Sequence, residues 1–395
     1  MEELIRAKLH DALAVDEPHG LRARVIAGVP MERKRVRRPV RLPLNLQWAA
    51  GLAAILVTAA LLIGLLGTRL LVRPEPVGPV GPQIHLTNPY GIAIAPDGTL
   101  YVSDFTDGRI FRIRGNTLVS VAGGGAQAEG PGSKANIFGP LQMAFSPDGD
   151  LYIGEGGGTR ISRLDKHGNL STVASTLGTV QGLAFGPGGS LFASIVDQVT
   201  TVIPAGRAPI DFSSIGGPAV FPGFLTFGAD ENLYIADQSP VKAPVQLTPP
   251  AMGGCRVLKS LLDNTVSLIA GTGHCGFSGD GGPATRAELD DPSGLAFDSA
   301  GNLYVGDSNN HRIRRIDTHG VITTIAGTGV DAHSGDGGQA TSAQLEGLSG
   351  LAIAQGRYLY FVEVRSDQTH GAVRVIDLRT GVIRTVVDSS SRVIT

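Results

Sequence analysis

The sequence is poor in charge, in aromatic rings and above all in cysteine. Of its 395 residues 17% are charged and 5% aromatic, the formal net charge is −2, and there are two cysteines and one Trp. A near-neutral chain argues against a nucleic-acid binder, which presents a basic face. No Cys-x-x-Cys pair and no His-Glu-x-x-His run occurs, so the metal signatures readable from spacing are missing. No nucleophile elbow is visible. Gly123-Gly-Gly125 and Gly156-Gly-Gly158 follow apolar runs but open no helix, so neither reads as a phosphate loop.

What the chain has in excess is glycine, 55 residues of it, among 42% hydrophobic residues. Short apolar runs cut by glycine predict many short strands and tight turns. Arg outnumbers Lys 27 to 6, a bias associated with GC-rich bacterial genomes.

One long apolar run stands apart. Residues 42–68 carry no formal charge, and 48–67 are nearly all apolar. About 20 helical residues match the ~30 Å hydrocarbon layer, so a single transmembrane helix is expected. Arg33-Lys-Arg-Val-Arg-Arg-Pro-Val-Arg41 precedes it, and only Arg69 and Arg73 follow closely. The positive-inside rule then predicts a cytoplasmic N-terminus and an extracytoplasmic remainder. A cleaved signal peptide is the rival, but its apolar core is shorter and a small-x-small site follows it. Residues 1–41 are expected to be a short helical cytoplasmic stub, too small for a catalytic core. It reads as a membrane-surface or disordered tail, or as a docking site for a cytoplasmic partner. Residues 69–87, with Arg73-Pro-Glu-Pro-Val-Gly-Pro-Val-Gly-Pro82, read as a Pro-rich spacer.

From residue 88 one pattern recurs: an apolar strand, a polar turn, a Leu-Tyr strand and two further strands. Gly91-Ile-Ala-Ile-Ala-Pro-Asp-Gly-Thr-Leu-Tyr-Val-Ser-Asp104 is the first copy and Gly294-Leu-Ala-Phe-Asp-Ser-Ala-Gly-Asn-Leu-Tyr-Val-Gly-Asp307 the clearest. The anchor aromatics fall at Tyr101, Tyr152, Phe192, Tyr234, Tyr304 and Tyr360, and the third copy is degenerate. Such spacing is that of propeller blades, each of which can bury its faces only against neighbours.

On these residues, about 88–390 resembles the NHL-repeat family, within a propeller domain expected over 88–395. Ile269-Ala-Gly-Thr-Gly-His-Cys-Gly-Phe-Ser-Gly-Asp-Gly-Gly-Pro-Ala-Thr-Arg-Ala-Glu-Leu289 is similar to the inter-blade segment of bacterial and teneurin-type members. The resemblance implies an all-β, six-bladed NHL-type β-propeller. Propellers of this kind include binding scaffolds, sensors, lyases and neighbouring lactonases, so fold alone does not assign function.

Connections in a blade alternate between two faces. The inter-blade segments 122–138, 270–290 and 326–346 share one face with the ends of the second strands, at Asp104, Glu155, Ile195, Asp237, Asp307 and Glu363. This loop-rich face is the expected working face, with Asp104, Glu155, Asp237, Asp307, Asn310 and Glu363 as candidate binding residues. Each acid reads first as a cap on its own turn. A cation site would need several oxygens to converge; no cofactor is expected, a divalent ion such as Ca²⁺ being the one these acids would suit if they did. Asp280 and Asp336, in two Ser-Gly-Asp-Gly-Gly loops, read as loop architecture before Ca²⁺ ligands. His274, His311 and His333 lie in loops of the same face and read first as solvated residues. Cys255 and Cys275 are a disulfide candidate outside the membrane, with two free thiols as the alternative.

The reading is a membrane-anchored extracytoplasmic propeller that binds a protein, peptide or glycan and carries no recognisable catalytic set. A metal-assisted lactonase or lyase is the alternative.

Overall fold

Alternation along each Leu-Tyr strand decides the architecture. A computed structural model describes residues 85–394 apart from 177, 196–197, 204–221, 239–253, 262–264 and 366–369. The expected stub, the apolar run 42–68 and most of the spacer lie outside the described residues, among which no helix is long and apolar enough to cross a membrane. Side chains on a strand alternate sides. Leu233 and Ile235 accordingly join one buried cluster, while Tyr234 and Ala236 of the same strand join another.

The described strands form six sheets. Pro89–Ile94, Leu100–Asp104, Arg109–Arg114 and Thr117–Gly123 make the first. Pro140–Phe145, Leu151–Glu155, Arg160–Leu164 and Asn169–Ser175 make the second. The third shows Val180–Phe185, Leu191–Ile195 and Gln198–Ile203. The fourth holds Pro222–Phe227, Leu233–Asp237, Arg256–Ser260 and Val266–Ala270. The fifth holds Pro292–Phe297, Leu303–Asp307, Arg312–Ile316 and Ile322–Ala326. The sixth holds Gly347–Ala354, Tyr358–Val364, Gly371–Asp377 and Val382–Asp388. Within each, consecutive strands pair antiparallel, and the first strands pack on one another from sheet to sheet until the sixth meets the first. The fold is an all-β propeller.

Its core is divided rather than central. Each buried cluster lies between two neighbouring sheets; Val362, Val373 and Val387 of the sixth pack with Ile92, Phe111 and Leu118 of the first. The anchor aromatics bridge these junctions. Tyr101 meets Phe145 at 5.2 Å between centroids, Tyr152 meets Phe185 at 5.0 Å, and Tyr234 meets Phe297 at 4.7 Å, all edge to face. Such pairs add about 0.5–1.5 kcal/mol beyond burial. Each Tyr thus belongs to two sheets energetically.

First strands approach closely enough to require glycine. A Cβ on Gly182 would lie 2.2 Å from the Gly223 carbonyl oxygen, and one on Gly294 would lie 2.4 Å from that of Ser349. At the axis, Tyr90 of the first sheet stacks on Phe224 of the fourth, centroids 5.2 Å apart and nearly parallel. Gln142 ties three sheets together: its Oε1 accepts from Leu183 N and Leu225 N, and its Nε2 donates to Leu225 O. Ring and amide bridge sheets that are not neighbours.

Both ends of the chain's propeller segment meet the seam between the sixth and first sheets. Arg392–Ile394 adds a parallel strand to Thr117–Gly123 of the first sheet. On the entering side, Leu86 O accepts Gly371 N of the sixth, and His85 Nδ1 lies 2.8 Å from Ser389 O.

Candidate functional site

Each first strand shifts register near its start, opposite the end of the second strand. Pro89 faces Asp104, Pro140 faces Glu155, Pro222 faces Asp237 and Pro292 faces Asp307. Proline suits this place because it brings no N–H that would need a partner. In the sixth sheet Leu348 faces Glu363, and in the third Val180 faces Ile195. The five candidate acids therefore occupy one structurally repeated position on the loop-rich face.

All five are fully buried. A carboxylate removed from water needs donors, and the fold supplies them. Asp104 accepts Thr87 N at 2.7 Å, Asn88 N at 3.2 Å and Asp107 N at 3.0 Å. Glu155 accepts Phe138 N and Arg160 Nε at 2.9 and 2.8 Å, together with the Ser162 hydroxyl. Asp237 is paired with Arg256 at 2.6 Å. Asp307 accepts Asp290 N at 2.7 Å, Asn310 Nδ2 at 2.8 Å and Arg314 Nη1 at 3.0 Å. Asn310, half-buried, also donates to Gly276 O at 2.7 Å. Asp104, Glu155 and Asp307 thus stitch a sheet to the segment that enters it.

Glu363 is different. One oxygen accepts Arg374 Nη1 at 3.1 Å, and the other faces His333 Nδ1 at 2.6 Å, an atom able to donate or accept. Hydrogen bonding to Glu363 raises the His333 pKa above its ordinary value.

The two Ser-Gly-Asp-Gly-Gly loops are clamped by buried arginines. Arg314 Nη2 donates to Asp280 Oδ1 at 2.8 Å and to Ser278 O at 3.0 Å. Arg374 Nη2 does the same to Asp336 Oδ1 at 2.6 Å and Ser334 O at 2.9 Å. Gly279 and Gly335, at φ +87° and +93°, permit the turn; a Cβ on Gly279 would meet Ala287 at 2.6 Å. Asp280 and Asp336 are loop fasteners.

The residues that spacing alone did not reveal are the arginine clamps and a set of exposed apolar side chains. Phe138 is 50% exposed, Val330 49%, Phe277 42% and Phe105 38%, and all four lie on loops of the face just described. Phe105 packs on Gly139, beside Phe138. The ring of Phe277 lies 3.8 Å from the Arg312 guanidinium carbon. Their shared feature, a large apolar residue in an inter-sheet loop, is a signal available in the sequence once the faces are known.

Acidity concentrates here as well. Asp291, at φ +52°, has its pKa raised to about 6 by burial and by Asp290 and Asp307. Burial and Asp104 raise that of Asp107, and burial and Glu363 raise that of Glu346. His274, His311 and His333 do not meet: His311 lies 3.6 Å from Asp331, and His333 is grouped with Glu346 and Glu363. Cys255 and Cys275 are joined in a disulfide, Cα atoms 5.3 Å apart.

Cavities of about 650, 690 and 510 Å³ open on the opposite face. They lie between sheets one and two, six and one, and four and five. Their recurrence between sheets makes them crevices of blade splay.

The Teneurin NHL domain family profile matches residues 156–331. Human Teneurin-1 is 28% identical over 49% of this chain and 7% of its own length. Drosophila melanogaster Teneurin-m is 26% identical over 73% of this chain and 10% of its own length. The chain thus spans a tenth or less of these relatives. Among solved structures, a Bacteroides thetaiotaomicron protein of unknown function superposes with a TM-score of 0.52 at 16% identity, covering 72% of this chain and 68% of that one. An auxiliary nutrient binding protein from Bacteroides ovatus superposes with a TM-score of 0.50 at 12% identity, covering 77% and 70%. At such identities these two report the fold. Repeated Leu-Tyr strands, teneurin-type inter-sheet loops and the profile match over residues 156–331 together support an NHL-repeat β-propeller.

Proposed function

We propose that the chain is a six-bladed propeller held outside a membrane by residues 48–67, and that its loop-rich face captures a protein partner. The observation that carries the binding reading is the collection of Phe105, Phe138, Phe277 and Val330 on one face. Apolar side chains exposed on several loops of one face of a rigid scaffold mark interaction surfaces. Aromatic anchors on an open rim suit a protein surface better than an enclosed small ligand, which is held in a concave pocket. The apolar run and its basic flank support the anchor.

A metal-assisted lactonase or lyase built on the strand-end acids has less support. Asp104, Glu155 and Asp307 already accept two or more hydrogen bonds from their own fold, and Asp237 is buried against Arg256. Cross-linking of the full chain in native membranes, followed by capture, tests the proposal. Retention of a protein by the wild type and its loss in Phe138→Asp and Phe277→Asp support it; equal retention by both variants overturns it.

A further inference from the structure

The loops before sheets five and six are copies that share five of nine positions and differ at four, Phe277 against His333 among them. Thr272-Gly-His-Cys-Gly-Phe-Ser-Gly-Asp280 answers to Thr328-Gly-Val-Asp-Ala-His-Ser-Gly-Asp336. The same clamp holds both, Arg314 on Asp280 and Arg374 on Asp336. In the first copy Phe277 lies over Arg312 and Arg314. In the second, His333 takes its place. The scaffold therefore does not need an imidazole, since a phenyl ring serves in the sister loop.

That imidazole meets two carboxylates from different elements. His333 comes from the inter-sheet loop, Glu346 from the entrance to the sixth sheet and Glu363 from its second strand. Their candidate donor atoms all lie within 4.8 Å of one another. The far side of each of two groups is already fixed. His333 Nε2 lies 3.2 Å from Thr385 Oγ1, which can accept an Nε2–H, and a metal ion would then take the place of the proton that Nδ1 shares with Glu363 Oε2. Glu363 Oε1 is held by Arg374 at 3.1 Å. Metal-binding imidazoles and carboxylates are oriented by outer partners of this kind.

Charge points the same way. Arg374 is shared between Glu363 and Asp336, and Arg365, half-exposed, comes no nearer to Glu346 than 3.6 Å. With His333 neutral, the three carboxylates of Glu346, Glu363 and Asp336 face two guanidiniums, those of Arg374 and Arg365.

We propose that His333 Nδ1, Glu346 and Glu363 Oε2 bind one divalent transition-metal ion of the zinc class, with a position left open to water or to a partner's side chain. One nitrogen and carboxylate oxygens suit zinc and its neighbours, whereas Ca²⁺ and Mg²⁺ take oxygen ligands. The site is separate from the aromatic contacts of the binding face, so neither proposal needs the other.

The test is zinc binding by the purified full chain after chelator treatment, in excess Mg²⁺, read by equilibrium dialysis with elemental analysis. His333→Phe installs the sister loop's residue and Glu346→Gln keeps shape; thermal unfolding checks that both fold. The wild type is expected to hold one zinc equivalent more than either variant. Thr385→Val, which frees Nε2, is expected to weaken that equivalent on the order of 10-fold or more. Equal zinc stoichiometry and affinity in the wild type and both ligand variants overturns the assignment, as does a wild type that retains none. If His333→Phe does not fold, Glu346→Gln alone decides, by loss or retention of the equivalent.

Discussion

The guanidinium of Arg314 lies 3.0 Å from the carboxylate of Asp307, and neither side chain touches solvent. The same arginine reaches Asp280 in the preceding loop, so one buried cation fastens a loop to the end of a strand. Breaking a buried pair by removing one partner costs about 3–5 kcal/mol, because the other charge stays buried without compensation. Arg314→Met is expected to lower unfolding free energy by that order. Chemical denaturation checks it, together with faster proteolysis at residues 270–290. A change below about 1 kcal/mol would mean that the pair is dispensable.

Asp291 gives a pH signature. Its folded pKa, raised to about 6, lies above the ordinary 3.8, so the folded state binds the proton more tightly than the unfolded state. Its contribution is present below pH 3.8 and is lost as pH rises towards 6. Asp291→Asn, which keeps a side chain tolerant of φ +52°, is expected to remove that loss. The variant should be more stable than wild type at pH 7 by about 1–3 kcal/mol, and the two should converge near pH 4. Parallel stability curves across pH 4–7 would contradict the assignment.

The disulfide between Cys255 and Cys275 closes a short loop in the unfolded chain. Reduction, or a Cys255→Ala and Cys275→Ala double change, is expected to cost about 3 kcal/mol in the chain-entropy account. Denaturation with and without reductant measures it. In the double variant reductant should have no further effect.

The seam between the sixth and first sheets depends on a three-residue strand, Arg392–Ile394. Val393 packs against the cluster that contains Leu118 and Val387. Val393→Asp is expected to destabilise by about 1–3 kcal/mol through lost apolar contact. Hydrogen exchange should show the effect first in Thr117–Gly123, the strand it pairs with. Unchanged protection there would place the seam elsewhere.

Much of the architecture was legible because it rests on period-two alternation. Leu303 and Tyr304 are adjacent in sequence and enter different clusters, so a Leu-Tyr pair announces a strand buried on both faces. The repeated position of the acids was legible too. Their surroundings were not: Arg314 lies 34 residues from Asp280 and Arg374 lies 38 from Asp336, separations set by how the ring returns each loop to the next sheet. The same holds for Tyr90 and Phe224, which meet across the axis. His333 could be named from sequence, but its meeting with Glu346 and Glu363 depends on three elements of the folded sheet.

The most direct test of the binding reading is site-specific photo-cross-linking in native membranes. A photoreactive side chain is placed at Phe138 or Phe277 on the loop-rich face, or at Asp148 or Ala300 in turns of the opposite face. The account predicts a cross-linked protein from the first two positions and none from the second two. Cross-links from Asp148 and Ala300 alone, or equally from all four, would contradict it.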